Sequence, residues 1–298
     1  MVDLGVAPVP KDVVWRPAHG SDMEQFAVVP LAPSDDSTAL GGMTDLRGRG
    51  LRLLLPRAGW DALQRTKAMR APAFWAWDRM ESWLASPADQ TVESGDLLFG
   101  LPNDVRTHVQ VDGDKGTASD GDLFQTEGLV FRDTAAEYGL LLRTQGAPQM
   151  GVVRLGAEQR LSSLADSGCE WPALPDSVRC RLEAPGGSHL VRVILLTPGI
   201  FADGYRPPMD PDGRITQGPL QGARLVAAAV DRPQVMSGWD MVLRGPKPTR
   251  RFAPAGSVYW LEVEDPVAFA SKLWMSSVCD ELQDQLDGFG LCVVGASV

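Results

Sequence analysis

Between residues 237 and 262 the chain reads SGWDMVLRGPKPTRRFAPAGSVYWLE, and no helix can run through that stretch. Pro246, Pro248 and Pro254 each remove a backbone donor and push the preceding residue toward extended geometry. The same stretch carries Arg244, Lys247, Arg250 and Arg251, with no acid between Met241 and Trp260, although the chain as a whole has a formal net charge of -10. Ala255-Gly256 then opens into SVYWLEV, a β-branched and aromatic run that predicts a strand. The outcome is an extended cationic arm feeding a strand, with a glycine where another backbone can come close. A phosphate or an acidic protein surface suits such an arm, and so does plain solvation.

The residues on either side of the arm set the fold class. After the strand, Asp265 supplies an N-cap and Pro266 a first helical residue. Ala270, Leu273, Trp274, Val278, Leu282 and Leu286 form the apolar stripe of the predicted helix, Gly288 ends it, and LCVV is a closing strand. Upstream, LVRVILLT at 190–197 and residues 222–230 predict two further strands, joined by the long loop PGIFADGYRPPMDPDGRITQGPLQ. The second half therefore reads strand, loop, strand, basic insertion, strand, helix, strand. That is a ferredoxin-like βαββαβ order with its first helix eroded and its central hairpin extended. The loop over 202–220, with Tyr205, Arg206, Pro207 and Pro208, is long enough to be a partner-binding excursion.

In the first half an opening strand runs from Val6 to about Arg16, and 26–31 is a second extended piece. Ser34, Asp35, Asp36 and Ser37 offer N-cap oxygens to a short helix over 38–46, followed by Arg47 and Arg49 on a glycine-rich exit. Residues 51–55 predict a buried strand. The spacing of Phe74, Trp77, Met80, Trp83 and Leu84 predicts an amphipathic helix over 72–85, its aromatic stripe turned to a core. VRTHVQV at 105–111 and LFQTEGLVF at 123–131 alternate with period two around a Gly–Asp loop, so they form a long hairpin. The glycine-rich segment 145–161 carries Arg154, Gly156 and Arg160 without a nucleotide phosphate-loop motif. Residues 162–188, rich in Pro, Gly and Ser, are the expected connection. The whole is α+β, with an N-terminal domain over 1–161 and a C-terminal domain over 189–298.

Chemistry-bearing clusters are sparse. Cys169, Cys180, Cys279 and Cys292 form no CxxC pair, and only His19, His108 and His189 stand with them. No nucleophile, metal or cofactor signature is present, so neither a metal nor a cofactor is expected. No run approaches the ~18 apolar residues of a membrane span, and MVDLGVAPVPKD is no secretory leader. The sequence therefore predicts a cytoplasmic protein with reduced thiols. Its acidity opposes free-standing nucleic-acid binding. The basic arm permits local binding within a larger assembly.

SGWD, KPTRR and PAGSVYW occur in order with PKDVVWR at 10–16, PSDDSTALGGMTDLRGRG at 33–50 and GDLFQTEGLVF at 121–131. RLGAEQRL at 154–161, LLTPGIF at 195–201 and GFGLCVVG at 288–295 complete the set. Together these segments resemble the subunit-three family of Cmr-type, type III-B CRISPR effectors, within the RAMP superfamily. The resemblance implies two ferredoxin-like (RRM-like) domains in a non-catalytic antiviral subunit. Such a subunit holds the repeat-derived 5′ handle of the CRISPR RNA and docks on a large polymerase-like subunit. Neighbouring backbone RAMP subunits lie beside it, and target single-stranded RNA is met indirectly. The RNA-binding residues in that reading are Arg16, Arg47, Arg49, Arg154, Gly156, Arg160, Trp239, Arg244, Lys247, Arg250, Arg251, Gly256 and Ser257. An alternative from the same superfamily is an endoribonuclease that processes CRISPR RNA, with His19 or His108 as general acid or base. A third is an acidic interaction protein that binds no RNA.

Overall fold

The computed structural model describes residues 5–18, 25–34, 51–56, 69–132, 137–156, 160–184 and 189–297. In chain order the elements are β1 (Val6–Pro8), β2 (Val13–Pro17), β3 (Gln25–Ser34), β4 (Leu53–Pro56), β5 (Phe74–Ala76), α1 (Trp77–Ala85), β6 (Gln90–Glu93) and β7 (Leu97–Leu98). There follow β8 (Asn103–Val111), β9 (Ala118–Leu129), β10 (Gly151–Arg154), β11 (Leu161–Leu164), α2 (Asp176–Leu182), β12 (Leu190–Leu195) and β13 (Arg224–Ala229). The last are β14 (Gln234–Met236), β15 (Trp239–Asp240), β16 (Gly245–Pro246), β17 (Arg250–Phe252), β18 (Val258–Glu262), α3 (Pro266–Leu273), β19 (Ser276–Ser277), α4 (Leu282–Leu286) and β20 (Leu291–Ala296). The fold is α+β. The helix expected over 38–46 lies outside the described residues, as do Arg47, Arg49 and His19.

Packing divides the chain elsewhere than composition does. One compact unit joins Leu4–Leu98 to Pro172–Val298, and the other comprises Phe99–Trp171. In the larger unit β12 is apolar except for Arg192, and it occupies the middle of an antiparallel sheet ordered β13-β18-β12-β20-β19. Near-continuous apolar strands imply burial on both faces. Val191, Val193, Leu195, Tyr259, Trp260, Val293 and Val294 are all fully buried.

One face of that sheet carries Arg192 between Trp260 and Gly295, which the register sets directly opposite it. Arg192 and Asp12 are 1% and 0% exposed. Arg192 Nη1 donates to Asp12 Oδ2 at 2.6 Å, Nε to the Ala296 carbonyl oxygen at 2.8 Å, and Nη2 to the carbonyl oxygens of Trp83 at 2.6 Å and Leu84 at 3.3 Å. Trp83 Nε1 donates to the other Asp12 oxygen at 3.0 Å. The guanidinium thus takes the last carbonyls of α1, which end the helix without intrahelical partners. Gly295 admits α1: a Cβ there would stand 2.8 Å from the Leu84 carbonyl oxygen. Trp83 and Trp75 meet edge to face at 5.7 Å, and Trp15 and Phe26 extend the same aromatic cluster.

The opposite face carries Val193 between Tyr259 and Val294. It is covered by α3 and by the long segment after β12. The Cys292 thiol reaches the Leu273 carbonyl of α3 at 3.4 Å. Phe201 packs edge-on to Tyr259 at 5.8 Å, and the Tyr259 hydroxyl donates to the Tyr205 carbonyl oxygen at 2.6 Å. Bridges Gly199↔Ala253, Met209↔Ile215 and Arg214↔Arg224 fix the segment, and Phe201, Ile215 and Leu220 are buried. Where the sequence shows no first helix, this irregular segment supplies the apolar side chains that the sheet needs.

Three expectations from the sequence are corrected. The opening strand is two strands, β1 and β2, separated by a turn that places Asp12 in the core. The helix expected over 72–85 begins only at Trp77. Phe74–Ala76 instead pairs with β1 and β7, which turns Trp75 inward to full burial. The stripe expected to run to Leu286 ends at Leu273. Asp265 caps α3 by accepting from the Val267 and Ala268 amides, but Met275 adopts φ 52° and the chain leaves to pair β19 with β20. Leu282 and Leu286 are exposed on the separate α4, and Asp284 is the buried residue there.

The smaller unit is built from the predicted hairpin β8–β9 and a second hairpin, β10–β11. None of its described side chains is buried.

Asp12→Ala strands the Arg192 charge in the core and is expected to cost about 3–5 kcal/mol, read as a lowered urea midpoint. Replacing both partners with apolar residues of similar volume should cost less than either single change. Burial pushes the thiols of Cys279 and Cys292 up in pKa, so the native chain should be alkylated by iodoacetamide at the exposed Cys180 and the half-buried Cys169 while Cys279 and Cys292 react only after unfolding.

Candidate nucleic-acid interface

The arm of residues 231–252 is a hairpin of two short ladders. Val235↔Arg251 and Met236↔Arg250 pair β14 with β17, and Trp239↔Pro246 pairs β15 with β16. The prolines exclude a helix, as predicted, and leave an extended ribbon. Between the ladders the Lys247 amide donates to the Gly238 carbonyl at 2.8 Å, and the Ser237 hydroxyl to the Lys247 carbonyl at 2.7 Å. At the turn, Asp240 Oδ1 accepts from the amides of Leu243 at 2.9 Å and Val242 at 2.8 Å. Those two bonds hold the Asp240 carboxyl below the ordinary carboxylate range. Arg244 takes the left-handed φ of 48° that closes the turn.

The predicted site residues separate into those engaged by the fold and those presented to solvent. Arg250 makes a bidentate pair with Asp284, at 2.7 and 2.6 Å, and lies over the Phe252 ring at 5.4 Å. The hydrogen bonds it donates to Asp284 hold the guanidinium pKa further up. Its cation anchors the base of the arm. Gly256 has φ +84°, and a Cβ there would stand 2.3 Å from the Val9 carbonyl oxygen. The Lys11 amide donates to the Gly256 carbonyl at 2.8 Å. The close approach foreseen at this glycine is therefore made by the chain's own N-terminal segment. Ser257 is fully buried and donates to the Pro254 carbonyl at 2.7 Å. Arg16 lies half-buried on β2, with Nε and Nη2 lacking a hydrogen-bond partner among the described residues.

Lys247, Arg251 and Arg244 are exposed, and none makes an ion pair among the described residues. Arg251 projects from the same side of the ribbon as Val235, opposite the side that Arg250 uses to hold Asp284. Trp239 is 58% exposed.

In the smaller unit Arg154 is exposed at the end of β10 and Gly156 turns the chain with φ +80°. Arg160 lies across β9: its Nη2 donates to Thr126 Oγ1 at 3.4 Å, and its guanidinium occupies the space that a Cβ at Gly128 would take. Beside it, on the same face of β8–β9, His108 stacks on Phe124 at 5.1 Å and shares a 2.8 Å hydrogen bond with Thr126. An aromatic platform next to two arginines, Arg106 and Arg160, was not singled out by the sequence. The hairpin register, which sets residue 108 against 124, is the signal that would have found it. Among the described residues no three of His, Cys, Asp and Glu gather to hold a metal ion, and no helix is long and apolar enough to cross a membrane.

A search of curated proteins gives no match. The family model described as CRISPR-associated protein (Cas_Cmr3) matches residues 7–297, a span that includes both compact units, the arm and the closing strand β20. The chain therefore belongs to the Cas_Cmr3 family of CRISPR-associated proteins and is a subunit of a Cmr effector complex in CRISPR defence.

Proposed function

We propose that this chain is a non-catalytic, RNA-holding subunit of the type III-B effector in the cytoplasm. It binds the repeat-derived 5′ handle of the guide RNA and docks on the large polymerase-like subunit, with backbone RAMP subunits as neighbours. The observation that carries the reading is the placement of Lys247 and Arg251, exposed and in no ion pair among the described residues, on an extended arm of a chain whose net charge is -10. Long-range repulsion opposes RNA elsewhere on such a surface, so local cations select where a phosphate backbone lies. Arg154 and Arg160, with the His108–Phe124 stack, offer a second set of contacts of the same chemistry.

The sheet supports the RAMP reading as well. With β12, β13, β18 and β20 as first to fourth strands, the order second-third-first-fourth is that of a ferredoxin-like unit. In this reading the segment 198–223 stands in for the first helix. The N-terminal ferredoxin-like unit rests on the resemblance alone.

In the assembled complex, Lys247→Ala with Arg251→Ala should flatten the dependence of log K on log salt by about 1.4, since each single-strand phosphate contact contributes ~0.7. An unchanged slope removes the arm from the RNA path. Arg250→Ala should behave differently: it leaves Asp284 buried without its cation and lowers the melting temperature, by the equivalent of about 1.5–3 kcal/mol. Guide or repeat RNA incubated with the isolated chain, with or without divalent metal, should remain intact. Cleavage that co-elutes with the chain on a final sizing column would instead make it a nuclease.

A further inference from the structure

The outer end of the arm has chemistry that RNA does not explain. Met241, Val242 and Leu243 are 80%, 90% and 81% exposed, three consecutive aliphatic side chains at the tip of a turn. Soluble surfaces scatter such residues singly, and a contiguous group marks an interaction site. The tip is also held in one shape. Asp240 binds two of its three amides, Arg244 closes it in the left-handed region, and the β15–β16 pairing fixes both sides. At the far end the Arg250–Asp284 pair ties the arm to the sheet-bearing unit. A turn ordered before it meets anything loses little freedom on binding.

We propose that this tip is a docking plug for another protein subunit of the effector, one that presents an apolar socket rimmed by carboxylates. Aliphatic side chains have no π-face to stack on a base and no donor for its edges, which are the two means by which RNA bases are held. They fit a protein socket. The charge at the tip names the rim: Arg244 follows Leu243 directly and makes no ion pair among the described residues, while Asp240, the nearby acid, accepts from its own backbone amides. A carboxylate on the partner completes the site. The inference adds to the RNA reading a division of the arm, with Lys247 and Arg251 along the shaft for phosphate and residues 241–244 at the tip for protein.

The test uses the whole effector, co-expressed with guide RNA. Val242→Ser with Leu243→Ser keeps both backbone amides that Asp240 holds and should leave the melting temperature of the isolated chain unchanged. One other subunit should then fall at least tenfold in occupancy after affinity purification and sizing, while the salt slope of RNA binding stays at its original value. A photoreactive residue in place of Met241 should cross-link to that same subunit, through a peptide that contains Asp or Glu. Full subunit stoichiometry in the double variant overturns the proposal. So does cross-linking to RNA, or to a second copy of this chain. Because the RNA reading is tested separately by Lys247→Ala with Arg251→Ala, the failure of one leaves the other standing.

Discussion

The buried pair of Arg192 and Asp12 is the contact on which the larger unit depends. Removing two charges from water costs several kcal/mol each, and the cost is offset only when nearly every donor and acceptor finds a partner. Here the guanidinium meets the Asp12 carboxylate, the end of α1 and the Ala296 carbonyl, and the second carboxylate oxygen takes the indole of Trp83. Those partners come from three separate stretches of chain, each distant from β12 in sequence. An apolar core of similar volume could be as stable, but it would lack the directional bonds by which the ion pair ties α1 and the N-terminal turn to β12 and β20. The Gly256–Val9 and Gly295–Leu84 approaches then follow, because two backbones held that closely leave no room for a Cβ.

The sheet that this network fixes is covered by unlike layers. Helix α1 and the tryptophan cluster close one face; α3 and a segment without regular structure close the other. What remains outside is unusual for a protein built to work alone. Among the described residues, a hairpin unit with no buried side chain, an arm with an aliphatic tip and cations in no ion pair all leave surface unsatisfied. Membership in a multi-subunit effector accounts for them: the missing burial is available from neighbours.

Much of this was legible in the chain. The strands at 190–195, 224–229 and 258–262 followed from their β-branched and aromatic runs, and α3 from Asp265-Pro266. The long hairpin followed from period-two alternation. The errors arose where distant contacts decide the outcome. Phe74–Ala76 has helical spacing, yet pairing with β1 and β7 outweighs a weak local preference. The stripe that continued to Leu286 did so by coincidence of spacing, and nothing local announced that Met275 would turn the chain. At the site, sequence gave the cations but not their partners. Arg250 and Arg251 are adjacent and chemically alike, and strand alternation sends one to Asp284 and the other to solvent. The sequence marks Gly256 as a point of close approach, and only the fold shows that Val9 is what approaches.

The sequence distance within the central pair has a consequence for how the chain is made. Asp12 and Arg192 are 180 residues apart, so a ribosome adding 5–20 residues per second delivers the cation roughly ten to forty seconds after the carboxylate. Throughout that interval the N-terminal segments hold an acid, an indole and the open end of a helix that have nothing to bind. The hairpin unit of residues 99–171 emerges in the middle of that interval, and none of its described side chains is buried. Strand β20, which supplies the Ala296 carbonyl, is last of all. The larger unit therefore cannot fold vectorially from its N-terminus. Its central network is complete only once β20 has been made, so the tryptophan cluster and the end of α1 wait for the last of their partners.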